Sequence, residues 1–196
     1  MFLKKQGFYT IKKAATVIGF DDGFKNLHKD KFAFLIGVVY RLDHKVEGIL
    51  SAKIKIDGFD STQKIIKLVK NTKFLPQTKC IMLSGINFAG FNIVDIQKLS
   101  SKLKMPVIAV FKKRPNLDKY IAALQNLSSY KKRIRLIQKA GAIHSFNNVF
   151  FQCAGIASKE AKTIIKRSQL NSSIPEPLRL AHLIASGVAL GQSTPP

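Results

Sequence analysis

The alternation of apolar and polar positions divides the chain into strands first and helices afterwards. Ala14 to Asp21 (AATVIGFD) is a short apolar run ending in Asp-Asp-Gly, which predicts a buried strand stopped by a turn. Phe32 to Arg41 is apolar on both faces, the signature of a central strand. From Leu50 to Ile56 the pattern has period two, with Leu50, Ala52, Ile54 and Ile56 on one side and Ser51, Lys53 and Lys55 on the other. Three strands at such close spacing predict an antiparallel meander. The period then changes. Asp60-Ser-Thr-Gln63 reads as a helix start with Asp60 as N-cap, ahead of an apolar face of Ile65, Ile66, Leu68 and Val69. Further strands are predicted at Lys79 to Ser84, Pro106 to Phe111 and Val149 to Cys153. Helices are predicted at Asn92 to Leu103, Asn116 to Leu127, Ser129 to Lys139, Ser158 to Arg167 and Pro177 to Leu190.

This order predicts an α/β fold: a mixed sheet with a three-strand meander followed by parallel βα units, and helices on both faces. Right-handed crossovers place the C-terminal ends of strands one, three and four on one edge, where α/β folds carry their sites. No internal repeat or Pro/Gly/Ser-rich linker divides the chain, so residues 1–191 are expected to form a single domain and 192–196 a disordered tail.

Composition changes this picture through charge. Apolar residues at 46% and charged residues at 22% are ordinary globular values and exclude a disordered polyelectrolyte. Lys and Arg number 33 against 11 Asp and Glu, a formal charge of +22. Such self-repulsion is relieved by a polyanionic partner, nucleic acid first and an anionic membrane surface second, while a generally basic proteome is the bland alternative. Clustering favours the first. Residues 98–139 hold twelve Lys and Arg against one acid, Asp118, so half of the net charge sits there. The sharpest runs are Lys112-Lys113-Arg114, after a strand on the candidate edge, and Lys131-Lys132-Arg133-Ile134-Arg135. Both are read as phosphate contacts, against the alternative of a solvated helix face. With no Trp and no alternation of basic and aromatic residues, the sequence gives little support for base stacking.

The acids are few enough for their places to carry information. Asp21, Asp22, Asp57 and Asp60 all fall at or just after the ends of strands one and three. Carboxylates so placed suit a divalent cation for phosphodiester hydrolysis, and Asp21 alone of the four lacks an obvious local duty. Local duties compete with this reading: Asp60 as a cap, and Asp22-Gly and Asp57-Gly as turn formers. Between strand four and its helix, Ser84, Gly85, Asn87, Gly90 and Asn92 could offer backbone N–H groups to a phosphate or form a packed turn, though no Walker A ending is present. His144 and His182 are candidate bases.

Cys80 and Cys153 lie far apart without a CxxC pattern, so neither a disulfide framework nor a zinc site is indicated. The apolar runs fall short of a membrane span, and Lys12 and Lys13 interrupt any signal-peptide core. A soluble cytoplasmic protein is expected.

Five segments, IGFDDG (18–23), IDGFDST (56–62), MLSGINFAGFN (82–92), FQCAGIASKEA (151–161) and IPEPLRLAHLIAS (174–186), resemble an uncharacterised archaeal family distantly related to endonuclease V. The resemblance spans nearly the whole chain and implies an RNase H-like fold. It also implies a Mg²⁺-dependent acidic cluster that cuts nucleic acid near deaminated bases such as inosine. The first-strand Asp of that enzyme matches Asp21, and its next acid matches the neighbourhood of Asp57 and Asp60. Its strand-four Asp falls on Ser84 and its late Asp on His182, so two acidic positions are kept and two are replaced. The enzyme's Pro-Tyr-x-Pro wedge has no counterpart before Gly48. Ser and neutral His neutralise none of a cation's charge, and Mg²⁺ binds imidazole poorly.

Two functions follow. The first is a nucleic-acid-binding protein whose ancestral nuclease site is lost or altered. The second is a divergent Mg²⁺- or Mn²⁺-dependent endonuclease with Asp21 and Asp60 on the metal, Asp22 or Asp57 as further ligand or base, and Arg179 or His182 near the substrate.

Overall fold

The computed structural model describes residues 14–125, 127 and 129–196, so Lys12 and Lys13 lie outside the described residues. In chain order the elements are β1 (Thr16–Gly23), β2 (Phe32–Arg41), β3 (Lys45–Lys55), α1 (Ser61–Lys70), β4 (Thr78–Ser84), β5 (Asn87–Phe88), β6 (Asn92–Ile93), α2 (Ile96–Leu103), β7 (Val107–Phe111), α3 (Leu117–Leu124), α4 (Tyr130–Lys139), β8 (His144–Phe146), β9 (Val149–Ala154), α5 (Ser158–Ser168) and α6 (Glu176–Leu190).

Seven of the strands form one sheet in the order β3-β2-β1-β4-β7-β9-β8, with β5 and β6 making a separate small hairpin. β1, β2 and β3 are the expected antiparallel meander, and β4 and β7 then add in parallel to β1. β9 and β8 close the far side antiparallel. The C-terminal ends of β1, β3, β4 and β7 therefore share one edge. β3 begins at Lys45, five residues before the alternating run, because the tight turn at His44 (φ 72°) brings Lys45 directly opposite Arg41. On this outer strand Ile54 is fully buried while Leu50 and Ala52 are only half-buried.

The sheet separates two cores, and the period-two rule assigns each strand residue to one of them. Ile18 and Phe20 of β1, with Ile81 and Leu83 of β4, face Ile65 and Val69 of α1 and Ile96 and Leu99 of α2. Val17, Met82 and Ile108 face the other way, toward Ile164 of α5 and Leu178, Ala181 and Ala185 of α6. At about 25 cal/mol per Å² of apolar surface, burying side chains of this size on both faces is the main force holding the sheet between its helices.

Two of the β1 positions facing α6, Gly19 and Gly23, are glycines. A Cβ at Gly19 would lie 2.6 Å from the Pro177 carbonyl carbon, and one at Gly23 would lie 2.2 Å from the Ala185 oxygen. The helix thus rests on the strand backbone on either side of Asp21, with no side-chain layer between them.

Candidate functional site

Asp21 stands between those two glycines, on the α6 side of the sheet. Its Oδ2 lies 3.0 Å from His182 Nδ1, and its Oδ1 accepts the Asp22 N–H at 2.9 Å. A carboxylate can only accept, so the imidazole donates from Nδ1. This hydrogen bond raises the His182 pKa above its ordinary value, against the opposing effect of burial. The pair is 161 positions apart in sequence, and the close approach of α6 to β1 is what joins it.

Around the pair is a cleft of about 400 Å³ lined by Asp21, Ser84, Gly85, Phe111, Lys112, Lys113 and His182, with Leu178 and Ile174 behind. Its chemistry is one carboxylate, one imidazole, one hydroxyl and two ammonium groups, a set suited to holding a phosphodiester and moving a proton beside it. The residues after α6 reach into the same place. Thr194 Oγ1 is 3.0 Å from His182 Nε2, Ser193 Oγ donates to the Leu183 carbonyl at 2.8 Å, and Pro196 lines the cleft. The segment expected to be a disordered tail is therefore folded back along α6.

The other three acids lie apart from this pair. Asp22 points to the opposite face of β1, where its Oδ2 accepts the Ala89 N–H at 2.8 Å. Burial, and next the neighbouring Asp21 charge, push its pKa up to about 7. Asp57 Oδ1 accepts the Phe91 N–H at 2.8 Å, and the Asp57 N–H donates to the Ala89 carbonyl at 2.9 Å. Asp60 makes no side-chain cap on α1. Instead its Oδ1 accepts from Asn92 Nδ2 at 2.7 Å and from the Lys55 N–H at 3.2 Å, which corrects the capping assignment.

Asp21 and Asp60 are thus held by different partners, Asp21 by His182 and Asp60 by Asn92 and Lys55. Among the described residues no three His, Cys, Asp or Glu side chains converge into a preformed ligand set. Asp60 has spent an oxygen on two donors and Asp21 has one on His182, so the residues present do not fit a shared Mg²⁺ or Mn²⁺.

The Ser84 to Asn92 segment also departs from expectation. The helix begins at Ile96 and is capped by Asp95, whose side chain accepts the Lys98 N–H, and the β5–β6 hairpin fills the interval. The backbone donors expected to cradle a phosphate are largely engaged: Gly85 N–H with Leu83 O, Ala89 N–H with Asp22 and Phe91 N–H with Asp57. Asn92 is buried and its amide donates inward to Lys55 O. Gly90 takes φ +78°, with Asp57 Oδ1 only 2.5 Å from where a Cβ would be. It is a packed turn. Of this loop, Ser84 and Gly85 line the cleft.

Of the basic runs, Lys112, Lys113 and Arg114 are exposed at the end of β7, and Lys131, Lys132 and Arg135 are exposed on α4. Arg133 is the exception, with 2% of its surface exposed. Its guanidinium donates to the carbonyls of Asp57, Gly58 and Phe91, so it braces the protein and is not free for a phosphate. Its position one turn from Ile137 on the buried face of α4 was the available signal, hidden by the surrounding run of charge. Arg179 is likewise engaged, donating to both carboxylate oxygens of Glu176 at 2.8 and 2.6 Å. A basic groove that the charge runs did not reveal lies beyond β1, lined by Lys25, Lys29, Lys31 and Lys53 with Phe32 and Phe34. Its lysines are spaced singly along the β1–β2 loop, and only the fold brings Lys53 to them.

A family model described as endonuclease dU matches residues 13–189. The chain belongs to the endonuclease dU family. Curated relatives carry the name UPF0215 protein. One from Thermococcus sibiricus is 42% identical over 189 residues, covering 93% of this chain and 96% of its own. One from Methanopyrus kandleri is 38% identical over 190 residues, covering 94% and 96%. The crystal structure of a protein of unknown function from Archaeoglobus fulgidus superimposes with a TM-score of 0.85 at 37% identity, covering 90% of this chain and 99% of that one. Human endonuclease V gives a TM-score of 0.58 at 16% identity, covering 88% and 83%. Endonuclease V of Ciona intestinalis, solved with a 23mer DNA containing an inosine, gives 0.59 at 17%, covering 91% and 87%. The chain thus has the RNase H-like fold of endonuclease V, as the resemblance implies.

Proposed function

We propose that this protein binds nucleic acid across the cleft at the C-terminal ends of β1, β4 and β7 and cuts it there, as an endonuclease with an altered phosphodiester site. The observation that carries the proposal is the ordered Asp21–His182 pair in a cleft rimmed by Lys112 and Lys113. The family's name, endonuclease dU, and the DNA bound by the Ciona endonuclease V support the same substrate class.

In this reading Lys112 and Lys113 hold the phosphate and offset its charge. Asp21 fixes the orientation of His182 and favours its protonated form, so that Nε2, once it leaves Thr194 Oγ1, donates a proton to the leaving oxygen as water attacks the phosphorus. Ser84, where a carboxylate would add negative charge, leaves the pocket less repulsive to a phosphate.

The test is strand cleavage of oligonucleotides carrying deoxyuridine or deoxyinosine, in EDTA and with Mg²⁺ or Mn²⁺. Cleavage is expected to fall by about 10²- to 10⁴-fold in both Asp21→Asn and His182→Ala, the usual worth of a positioned acid or base. A second reading, binding without chemistry, is favoured by the engagement of Asp22, Asp57 and Asp60 in structural hydrogen bonds. Retained binding with no cleavage of any such substrate under any metal condition would establish it in place of the first.

A further inference from the structure

The turn joining β3 to α1 is held by an unusual number of polar contacts. Arg133 reaches the carbonyls of Asp57 and Gly58, Asp57 bonds Phe91 and Ala89, and Asp60 bonds Lys55 and Asn92. Asn92 Oδ1 also accepts the Ser61 N–H at 3.1 Å, closing the start of α1. Asp57 itself sits at φ 51°, a left-handed turn conformation that Asp adopts more readily than most non-glycine residues. All this bracing presents one large side chain to solvent: Phe59, 38% exposed.

Two cations attend the ring. Arg133 Cζ lies 4.2 Å from its centroid and Lys132 Nζ lies 4.3 Å from it. They are not equivalent. Arg133 is buried and tied to three carbonyls, so its contact is permanent, whereas Lys132 is exposed on a flexible stem and held at the ring by a weak attraction. The turn lies at the same sheet edge as the cleft, because Lys55 pairs with Phe32 at the start of β2 and Gly23 pairs with Phe34 two residues on. A hydrogen-bonded path of Asp57 to Ala89 to Asp22 links it to the neighbour of Asp21.

We infer that Phe59 is a stacking platform for an unpaired nucleobase of the strand whose phosphate occupies the cleft, with Lys132 moving from the ring to an adjacent phosphate as the base arrives. The inference rests on the proposed nucleic-acid binding and adds a residue that touches the base itself. An aromatic face suits any base, and a preset turn costs no ordering on binding. The arrangement also supplies the pairing of aromatic and basic residues that the linear sequence lacks, since Phe59 and Lys132 come from distant segments.

The chain contains no Trp, so Phe59→Trp introduces a single indole whose fluorescence reports its own contacts. Addition of a short single-stranded oligodeoxynucleotide should quench it, while inorganic polyphosphate, which engages the lysines without bases, should not. In anisotropy titrations of the same labelled oligonucleotide, Phe59→Leu and Phe59→Ala should bind about fivefold or more weakly. Phe59→Trp should restore affinity, and the salt dependence should stay unchanged in all three. Thermal unfolding of each variant separates lost contact from lost fold, and the tryptophan variant reads stacking even if the alanine variant is unstable. Binding of the oligonucleotide without quenching, or equal quenching by polyphosphate, would overturn the platform and leave the cleft standing. Failure of the unmodified protein to bind any oligonucleotide at low salt would overturn both.

Discussion

At the scale of single residues, Asp21 and Asp22 show how one position along a strand decides a role. Period two sends them to opposite faces, so Asp21 meets His182 while Asp22 meets the Ala89 N–H. The sequence marked both as candidates and contained the alternation that separates them. It did not contain the partners, because His182 and Ala89 are brought there by α6 and the β5–β6 hairpin. The raised pKa of Asp22 has a consequence for stability. Its folded value of about 7 lies above the unfolded value of 3.8, so its contribution is complete below pH 3.8 and is lost as pH rises toward 7. Asp22→Asn keeps an acceptor for Ala89 and removes the charge. The variant should match the parent near pH 4 and exceed it by about 1 to 3 kcal/mol at pH 8, as urea unfolding at the two pH values would measure.

At the scale of elements, the long strands and amphipathic helices were legible and the short pieces were not. β2, apolar on both faces, and α1, with lysines opposite its isoleucines, follow directly from pattern. β5, β6 and β8 are two or three residues long, too short to carry a period. The hairpin moved the start of α2 from Asn92 to Ile96, and Asn92 became a buried link between β3, α1 and the loop. The basic run of α4 predicts phosphate contacts, yet its Arg133 is the clasp that fixes the helix to the β3–α1 turn. Replacing Arg133 with Met leaves three carbonyls without their charged donor. It should cost about 2 to 4 kcal/mol of stability in chemical denaturation. Lys132→Met, one position earlier and exposed, should cost under about 0.5 kcal/mol.

At the scale of the whole molecule, the excess of 33 basic over 11 acidic residues resolves into separate exposed groups. Lys112 and Lys113 rim the cleft, Lys131, Lys132 and Arg135 project from α4, and Lys25, Lys29, Lys31 and Lys53 line the groove beyond β1. Changing Lys112 and Lys113 together to Ala should weaken binding to every sequence alike. It should also lower the slope of log affinity against log salt by about 1.4 on single strands, the release expected for two phosphate contacts. Unchanged slopes in a salt titration would remove these lysines from the interface.

The contact of α6 with β1 at Gly19 and Gly23 makes the two walls of the cleft mechanically unequal. The wall bearing His182 is closely backed, because Pro177 and Ala185 rest on the strand's main chain where a Cβ would not fit. The opposite wall, Lys112 to Arg114, is exposed in the connection between β7 and α3. Under the proposed function, the lysine side is therefore the wall that would adjust to an incoming strand, opposite a wall set by main-chain contact.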